Sequence, residues 1–253
     1  MKNYTFFSIL LICVLVGSCS KPTKQPTSKN VMTERLQGDS TFYGLACDGC
    51  TDTILVLLSD LTRDPDTFQI LEASRNHRVF GIPRIGDQMA VMLNRSHPKQ
   101  ADFVVNVEQL QASWCYMVTP KLRERADVSK DMQKQFMEKL PDSVLAKLLE
   151  PREYGFLLKE GNMARPIGAL YQGNTTDDQG PVEYPVLKRY REWHLFNGHL
   201  ILNETMLDSL GNQQLVCSDT ADFVLMRRDS LVLRFADGER SYYRKVEEQD
   251  SVR

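Results

Sequence analysis

The chain lacks long apolar runs, a marked excess of one charge, and the common catalytic motifs. No stretch of about 20 consecutive apolar residues is present, which excludes a protein that spans the bilayer several times with helices. The 31 basic and 33 acidic residues give a formal charge of -2, so the basic surface expected of a nucleic-acid-binding protein is missing. The composition, 42% hydrophobic and 25% charged, predicts instead a globular protein with a large core.

Enzyme signatures are missing as well. The sequence has no Gly-X-Ser-X-Gly elbow, no phosphate-binding glycine loop, no His-Glu-X-X-His pair and no Gly-X-Gly-X-X-Gly fingerprint. The acidic turns lack the glycine and terminal glutamate of a calcium loop. We therefore expect a protein that is not an enzyme and that uses no cofactor and no metal.

Residues 1–18 have the pattern of a bacterial export signal. Lys2 precedes an apolar stretch from Phe6 to Val16, which is too short to cross a bilayer. The ending Leu15-Val16-Gly17-Ser18-Cys19 resembles the lipobox of bacterial lipoproteins, in which the cysteine thiol is acylated. The resemblance implies that Cys19 anchors the protein to a membrane through its acyl chains.

The next residues, 19–38, are polar and without apolar periodicity, so we expect a flexible tether. The serine at position 20, directly after Cys19, resembles the signal that sorts lipoproteins to the outer membrane and not the signal that retains them at the inner membrane. No acidic patch of the kind that directs some lipoproteins to the cell surface follows Cys19. We therefore expect an outer-membrane lipoprotein that faces the periplasm.

Four cysteines remain for the mature fold: Cys47, Cys50, Cys115 and Cys217. An even number in an oxidising compartment allows two disulfides, with three pairings open. We favour a structural Cys47–Cys50 disulfide, with Cys115–Cys217 as the candidate second bond. The alternatives for Cys47 and Cys50 are a soft-metal site, a reducible stress sensor and a redox centre. The last is disfavoured because the residues that follow are strand-like, not helical.

Residues 39–108 predict a small β domain, either a barrel or a meander, without helices. The pattern consists of short apolar runs separated by turn residues. The predicted strands are Thr41–Leu45, Ile54–Leu58, Phe68–Glu72, Met89–Leu93 and Phe103–Val107.

A second β domain is predicted over residues 109–247, interrupted by a helical insertion at 128–150. Within the insertion, Pro141 separates two short helical patterns. Asn197-Gly198 is typical of a type I′ hairpin, since both turn positions need positive φ. That turn places Leu195 opposite Leu200 and Trp193 opposite Leu202. In a later strand, Leu231, Leu233 and Phe235 alternate toward the interior.

The second domain resembles the lipocalin-like domains of Gram-negative lipoproteins. Leu110-Gln111-Ala112-Ser113-Trp114 looks like their opening Gly-X-Trp motif, with Ala112 in place of the glycine. Tyr154-Gly155-Phe156-Leu157-Leu158 and Asp229-Ser230-Leu231-Val232-Leu233 resemble their later strands. The resemblance implies an up-and-down β-barrel whose cavity holds an apolar ligand. The candidate cavity residues are Trp114, Tyr116, Phe156, Trp193 and Leu195, which would serve equally as core.

A shorter segment near the N-terminus, from Tyr43 to Thr51, is similar to the Cys-X-X-Cys entry of NlpE-like lipoproteins. Two functional hypotheses follow. The first is a lipid-anchored, non-catalytic protein that binds a small apolar ligand in its barrel. The second is a structural, envelope-stress or interaction module that acts through protein contacts and the Cys47/Cys50 pair.

Overall fold

The computed structural model describes residues 36–123, 129–168 and 181–246, and these residues are mostly β. The predicted signal, Cys19 and the tether up to residue 35 lie outside the described residues. The described chain forms two main sheets, a two-stranded sheet and short helices. The elements are β1 Phe42–Ala46, β2 Ile54–Leu58, β3 Asp66–Gln69, α1 Leu71–Arg75, β4 Val79–Phe80, β5 Gln88–Leu93, β6 Ala101–Asn106, α2 Val107–Leu110, β7 Ser113–Val118, β8 Lys121–Leu122, α3 Lys130–Glu138, α4 Asp142–Leu148, β9 Arg152–Leu158, β10 Ala164–Ile167, β11 Val182–Glu183, β12 Glu192–Phe196, β13 His199–Leu207, β14 Gln213–Met226, β15 Ser230–Phe235 and β16 Gly238–Lys245.

The first sheet has six strands in the order β3-β2-β1-β5-β6-β4, with β4 parallel to β6. Leu55 and Leu57 alternate inward along β2 and are fully buried, as the period of a strand requires. The predicted small closed barrel is not confirmed, because β3 meets the residues before β6 only at one isolated bridge, between Gln69 and Gln100. The expectation of no helix was wrong. The chain leaves β3 and turns into α1 at Leu71, so that Ala73 is buried.

The second sheet is a nearly closed, barrel-like sheet of eight antiparallel strands in the order β10-β9-β7-β16-β15-β14-β13-β12. Its two edges meet through an isolated bridge between Met163 and Glu192. Two backbone bonds support this closure. The Trp193 N–H donates to the Asn162 carbonyl at 2.8 Å, and the Ala164 N–H donates to the Arg191 carbonyl at 2.7 Å.

The predicted hairpin register in this sheet is confirmed. Leu195 lies opposite Leu200 and Trp193 opposite Leu202, and Asn197 and Gly198 both have positive φ, at 50° and 85°. All four paired side chains are buried. The local turn chemistry therefore determines which face of these two strands lines the barrel.

Two helices lie between β8 and β9, on the stretch of the predicted insertion. The Ser129 hydroxyl accepts a hydrogen bond from the Met132 N–H at the start of α3, and Pro141 precedes the first residue of α4. Of the described residues, no helix is long and apolar enough to cross a membrane.

The first sheet packs against one end of the barrel, which we call the proximal end. Phe80 and Phe103 of the first sheet and Phe223 of β14 form a triangle with ring centroids 5.3 to 5.8 Å apart. Nearby, the Tyr43 hydroxyl donates to the Leu195 carbonyl at 3.4 Å. One hydrophobic cluster therefore crosses from the segment 39–108 into the segment 109–247.

The opposite end of the barrel, the distal end, carries the β13–β14 hairpin, the β15–β16 turn and the connections to α3 and α4. The first sheet packs on the proximal end only, so the two ends of the barrel have different surroundings.

Candidate ligand site at the distal end of the barrel

The residues predicted to line a cavity all belong to the barrel wall and point inward. Trp114, Phe156, Trp193 and Leu195 are at most 4% exposed, and Tyr116 is half-buried. The indole N–H of Trp114 donates to the Leu110 carbonyl at 2.8 Å. The indole of Trp193 donates to the Lys159 carbonyl at 2.9 Å. Both rings therefore bury their polar atom with a partner, as buried tryptophans need.

The proximal half of the interior is packed with aliphatic side chains. Leu200, Leu202, Leu231 and Leu233 are fully buried and join the same cluster as the two tryptophans. These contacts are those of an ordinary core. Among the described residues, these leucines bring only aliphatic groups to the proximal half.

The distal half is aromatic and polar. Tyr116 packs edge-on against Tyr242 and Tyr154, with ring centroids 5.2 and 6.4 Å apart. The guanidinium of Arg240 lies over the Tyr116 ring at 5.4 Å and over the Phe235 ring at 5.2 Å. Cation–π contacts of this kind hold a charged group at the edge of an apolar interior.

One further ring in this half comes from outside the wall. Tyr190 lies in the non-strand segment 184–191, between β11 and β12, and its side chain is buried inside the barrel. Its ring meets Phe156 edge-on at 6.0 Å, and its hydroxyl donates to Asp219 Oδ2 at 2.5 Å. Lys188 Nζ lies 3.3 Å from the same carboxylate oxygen.

The buried tyrosines remain protonated at physiological pH. Burial raises the pKa of Tyr190, and its hydrogen bond to Asp219 raises it further. Burial also raises the pKa of Tyr242 and outweighs the lowering effect of Arg240. The pKa of Tyr116 is raised by burial in the same way. The distal half therefore presents neutral phenol groups, which are hydrogen-bond donors and not nucleophiles.

Sequence reasoning missed Tyr190, Asp219, Arg240 and Tyr242. Strand alternation could have identified Arg240 and Tyr242, because the two residues share one parity of β16. No such signal exists for Tyr190. Continuing the alternation back from Trp193 would place residue 190 on the outer face, whereas the structure buries it.

The disulfides expected from the sequence are absent from the described residues, in which Cys47, Cys50, Cys115 and Cys217 are all free. Cys115 is buried on β7, whereas Cys217 lies on β14, with its sulfur 3.7 Å from Lys188 Nζ. Two strands, β16 and β15, separate β7 from β14 in the sheet, so the two thiols do not meet. Cys47 and Cys50 share the β1–β2 turn, but their thiols do not bond each other. The Cys50 thiol donates to the Cys47 carbonyl at 3.3 Å, and the Cys47 thiol donates to the Leu45 carbonyl at 3.6 Å.

The two histidines of the β12–β13 hairpin, His194 and His199, have separate hydrogen-bond partners. His194 Nδ1 lies 2.6 Å from the side-chain nitrogen of Asn162, and His199 Nδ1 lies 2.6 Å from Asp222. In the described ranges, no three residues of the metal-ligating types come together as a metal site.

Comparison with known proteins adds no relative. No family model, no curated protein and no solved structure matches this chain.

Proposed function

We propose that this chain is a lipid-anchored, non-catalytic envelope protein that binds a small, mainly apolar molecule at the distal end of its lipocalin-like barrel. The anchor is Cys19, and the position we propose is the periplasmic face of the outer membrane. The lipobox-like ending of residues 1–19 and the polar stretch after it support this location.

The observation that carries the proposal is Tyr190. Its ring fills a space between Phe156 and Asp219 although it belongs to no strand of the wall. The eight strands alone therefore surround a space with room for an aromatic ring. Apolar surroundings with a few fixed polar groups are typical of small-molecule sites.

The ligand site consists of Tyr116, Phe156, Arg240 and Tyr242, around the space that the Tyr190 ring occupies. The rings supply apolar contact, and Arg240 supplies a cation that is 30% exposed in its side chain. This arrangement suits a ligand whose ring packs on Tyr116 and whose polar end stays near Arg240, at the distal end of the barrel. Because the phenols stay neutral, the site favours binding over nucleophilic chemistry.

The test is native mass spectrometry on the full chain, followed by binding of the fluorescent probe N-phenyl-1-naphthylamine. We expect a co-purifying small molecule that is lost on denaturation, and saturable probe binding. Tyr116→Ala should weaken probe binding at least tenfold, because it removes the ring at the rim. Tyr243→Ala is the matched control, since Tyr243 lies on the outer face of β16 and bonds Glu153 at 2.6 Å. A chain with no bound molecule and no saturable probe binding would contradict the proposal.

A second candidate function, an interaction module, is favoured by the tip of the β13–β14 hairpin. Five large apolar side chains there are between 54% and 85% exposed: Met206, Leu207, Leu210, Leu215 and Val216. A cluster of this kind is unusual on a monomer's surface. In this candidate function, the free, half-buried thiols of Cys47 and Cys50 form the second contact element.

The partner that this hairpin suits is a second copy of the chain. β14 pairs with β15 only from Asp222 onward, so no strand of the described residues pairs with the edge from Gln213 to Ser218. That edge holds no charged side chain, and two copies can therefore pair along it without repulsion. Sedimentation should show a dimer that Leu215→Lys dissociates. A strictly monomeric chain at about 100 μM would contradict this candidate function.

A further inference from the structure

We propose that Tyr190 is an internal latch, a side chain that occupies the position of the ligand until the ligand displaces it. The ligand of the distal site is then a phenol or a similar aryl alcohol, whose hydroxyl replaces that of Tyr190 on Asp219. This inference rests on the proposed ligand-binding function and adds the class of the ligand.

Tyr190 can leave the barrel without breaking the wall. Among the described residues, every other aromatic ring of the cluster that fills the barrel belongs to a strand of the barrel or of the first sheet, and only Tyr190 comes from a connecting segment. The strand-like pairing begins one residue later, where the Arg191 N–H donates to the Asn203 carbonyl at 2.8 Å. Four residues before Tyr190, Val186 is 91% exposed. Side chains hold this segment, through the Tyr184 hydroxyl on the Glu150 carbonyl and Lys188 on Asp219, and residues 184–191 are in no strand, so a rotation of the segment would move the ring while the strand bonds stay in place.

Asp219 is the group that holds the latch. Its Oδ2 accepts the Tyr190 hydroxyl at 2.5 Å and lies 3.3 Å from Lys188 Nζ, and its Oδ1 lies 3.8 Å from Cys217 Sγ. Tyr190 and Lys188 belong to the same connecting segment, so one carboxylate ties that segment to β14. Hydrogen bonds between a phenol and a carboxylate are among the stronger ones in proteins.

The position that Tyr190 occupies defines the ligand that can replace it. The replacement needs a flat ring to meet Phe156 edge-on, and a hydroxyl to donate to Asp219. An aliphatic ligand would leave the carboxylate without the donor that the tyrosine supplies, which is costly for a partly buried acceptor. A phenol restores both contacts, and 4-methylphenol reproduces the tyrosine side chain itself.

The latch makes a quantitative prediction because it competes with the ligand. When the open form is a small fraction, the apparent dissociation constant equals the intrinsic constant divided by that fraction. Tyr190→Phe keeps the ring but removes the hydrogen bond to Asp219. The loss of a bond to a charged group raises the open fraction about 10- to 100-fold, and apparent affinity should rise by the same factor.

The experiment measures 4-methylphenol and toluene binding to the full chain, the Tyr190→Phe variant and the Tyr243→Phe variant by calorimetry. Tyr243→Phe is the control, since it also removes a tyrosine–carboxylate bond, but outside the barrel. We expect 4-methylphenol to bind Tyr190→Phe about 10- to 100-fold more tightly than the wild type, with Tyr243→Phe unchanged. Toluene should bind less tightly than 4-methylphenol, and Asp219→Leu, which leaves no acceptor at this position, should remove that preference. Amide exchange of residues 184–191 should speed up when 4-methylphenol binds.

Two outcomes distinguish a failure of the latch from a failure of the proposed ligand-binding function. Equal 4-methylphenol affinity for the wild type and Tyr190→Phe, with no change in exchange at 184–191, overturns the latch. The ligand-binding function then survives if N-phenyl-1-naphthylamine still binds and Tyr116→Ala still weakens it. Failure of both probes on folded protein refutes the function and the latch together.

Discussion

Phe80 offers a direct test of whether the two sheets unfold as one unit. It lies on β4 of the first sheet, is 4% exposed, and contacts Phe223 of the barrel with ring centroids 5.3 Å apart. The chain has only two tryptophans, Trp114 and Trp193, and both lie in the barrel. Tryptophan fluorescence therefore reports barrel unfolding alone, although the perturbation is made in the other sheet.

The expected effect of Phe80→Ala is large. Truncating a buried phenylalanine costs about 3–5 kcal/mol of unfolding free energy, from lost burial and the cavity left behind. With a urea m-value of roughly 3 kcal/mol per molar, suited to a chain of this size, the midpoint moves down by about 1–2 M. If the two sheets form one cooperative unit, the fluorescence midpoint shows this whole shift.

Urea titrations followed in parallel by tryptophan fluorescence and far-ultraviolet circular dichroism decide the question. Leu61→Ala is the control, since Leu61 is 84% exposed in the turn between β2 and β3 of the same sheet and should change stability by less than about 0.5 kcal/mol. Independent sheets would give a different result. Circular dichroism would then show two transitions, and Phe80→Ala would move the fluorescence transition by no more than about 1 kcal/mol, the value of one aromatic pair. That result would refute the single-unit reasoning.

Two further predictions concern titratable groups. Burial lowers the pKa of His194 below its ordinary value of 6.5, so the unfolded chain takes up the proton first as the pH falls. Stability should therefore decrease from about pH 6.5 down to the lower folded pKa. His194→Gln should flatten that part of a urea-monitored pH series, and an unchanged slope would contradict the assignment. Burial also raises the pKa of the Cys115 thiol to about 11. Iodoacetamide at pH 7.5 should therefore label Cys47, Cys50 and Cys217 in the native protein and Cys115 only after unfolding, as peptide mass spectrometry would show. Native labelling of Cys115, or protection of Cys47 and Cys50 as a disulfide, would count against the structure.

Local patterns predicted the parts of the fold that depend on neighbours in sequence. The Asn197-Gly198 turn fixes a two-residue hairpin, and the observed pairing of Leu195 with Leu200 follows from it. Leu231, Leu233 and Phe235 are buried because alternation places them on one face of β15.

The first sheet shows where such patterns fail. Leu71 and Glu72 fit a continuing strand by composition, yet they begin α1, since the burial of Ala73 by tertiary packing overrides a weak local preference. β4 has only two residues and pairs in parallel with β6. No hairpin signal in the sequence predicts this pairing, because parallel strands are not joined by a tight turn. A closed small barrel could not be inferred or rejected without these long-range pairings.

The sequence by itself determined that the chain is mostly β, which residues of its hairpins face inward, and that Trp114, Phe156 and Trp193 point into the barrel. These properties follow from turn chemistry and from the period of a strand, and both act over a few residues. Only the tertiary structure decided that the first sheet covers the proximal end, that Cys115 and Cys217 are kept apart, and that Tyr190 enters the barrel to bond Asp219. Each of these depends on groups far apart in the chain, whose meeting is set by the packing of the whole molecule and leaves no local trace in the sequence.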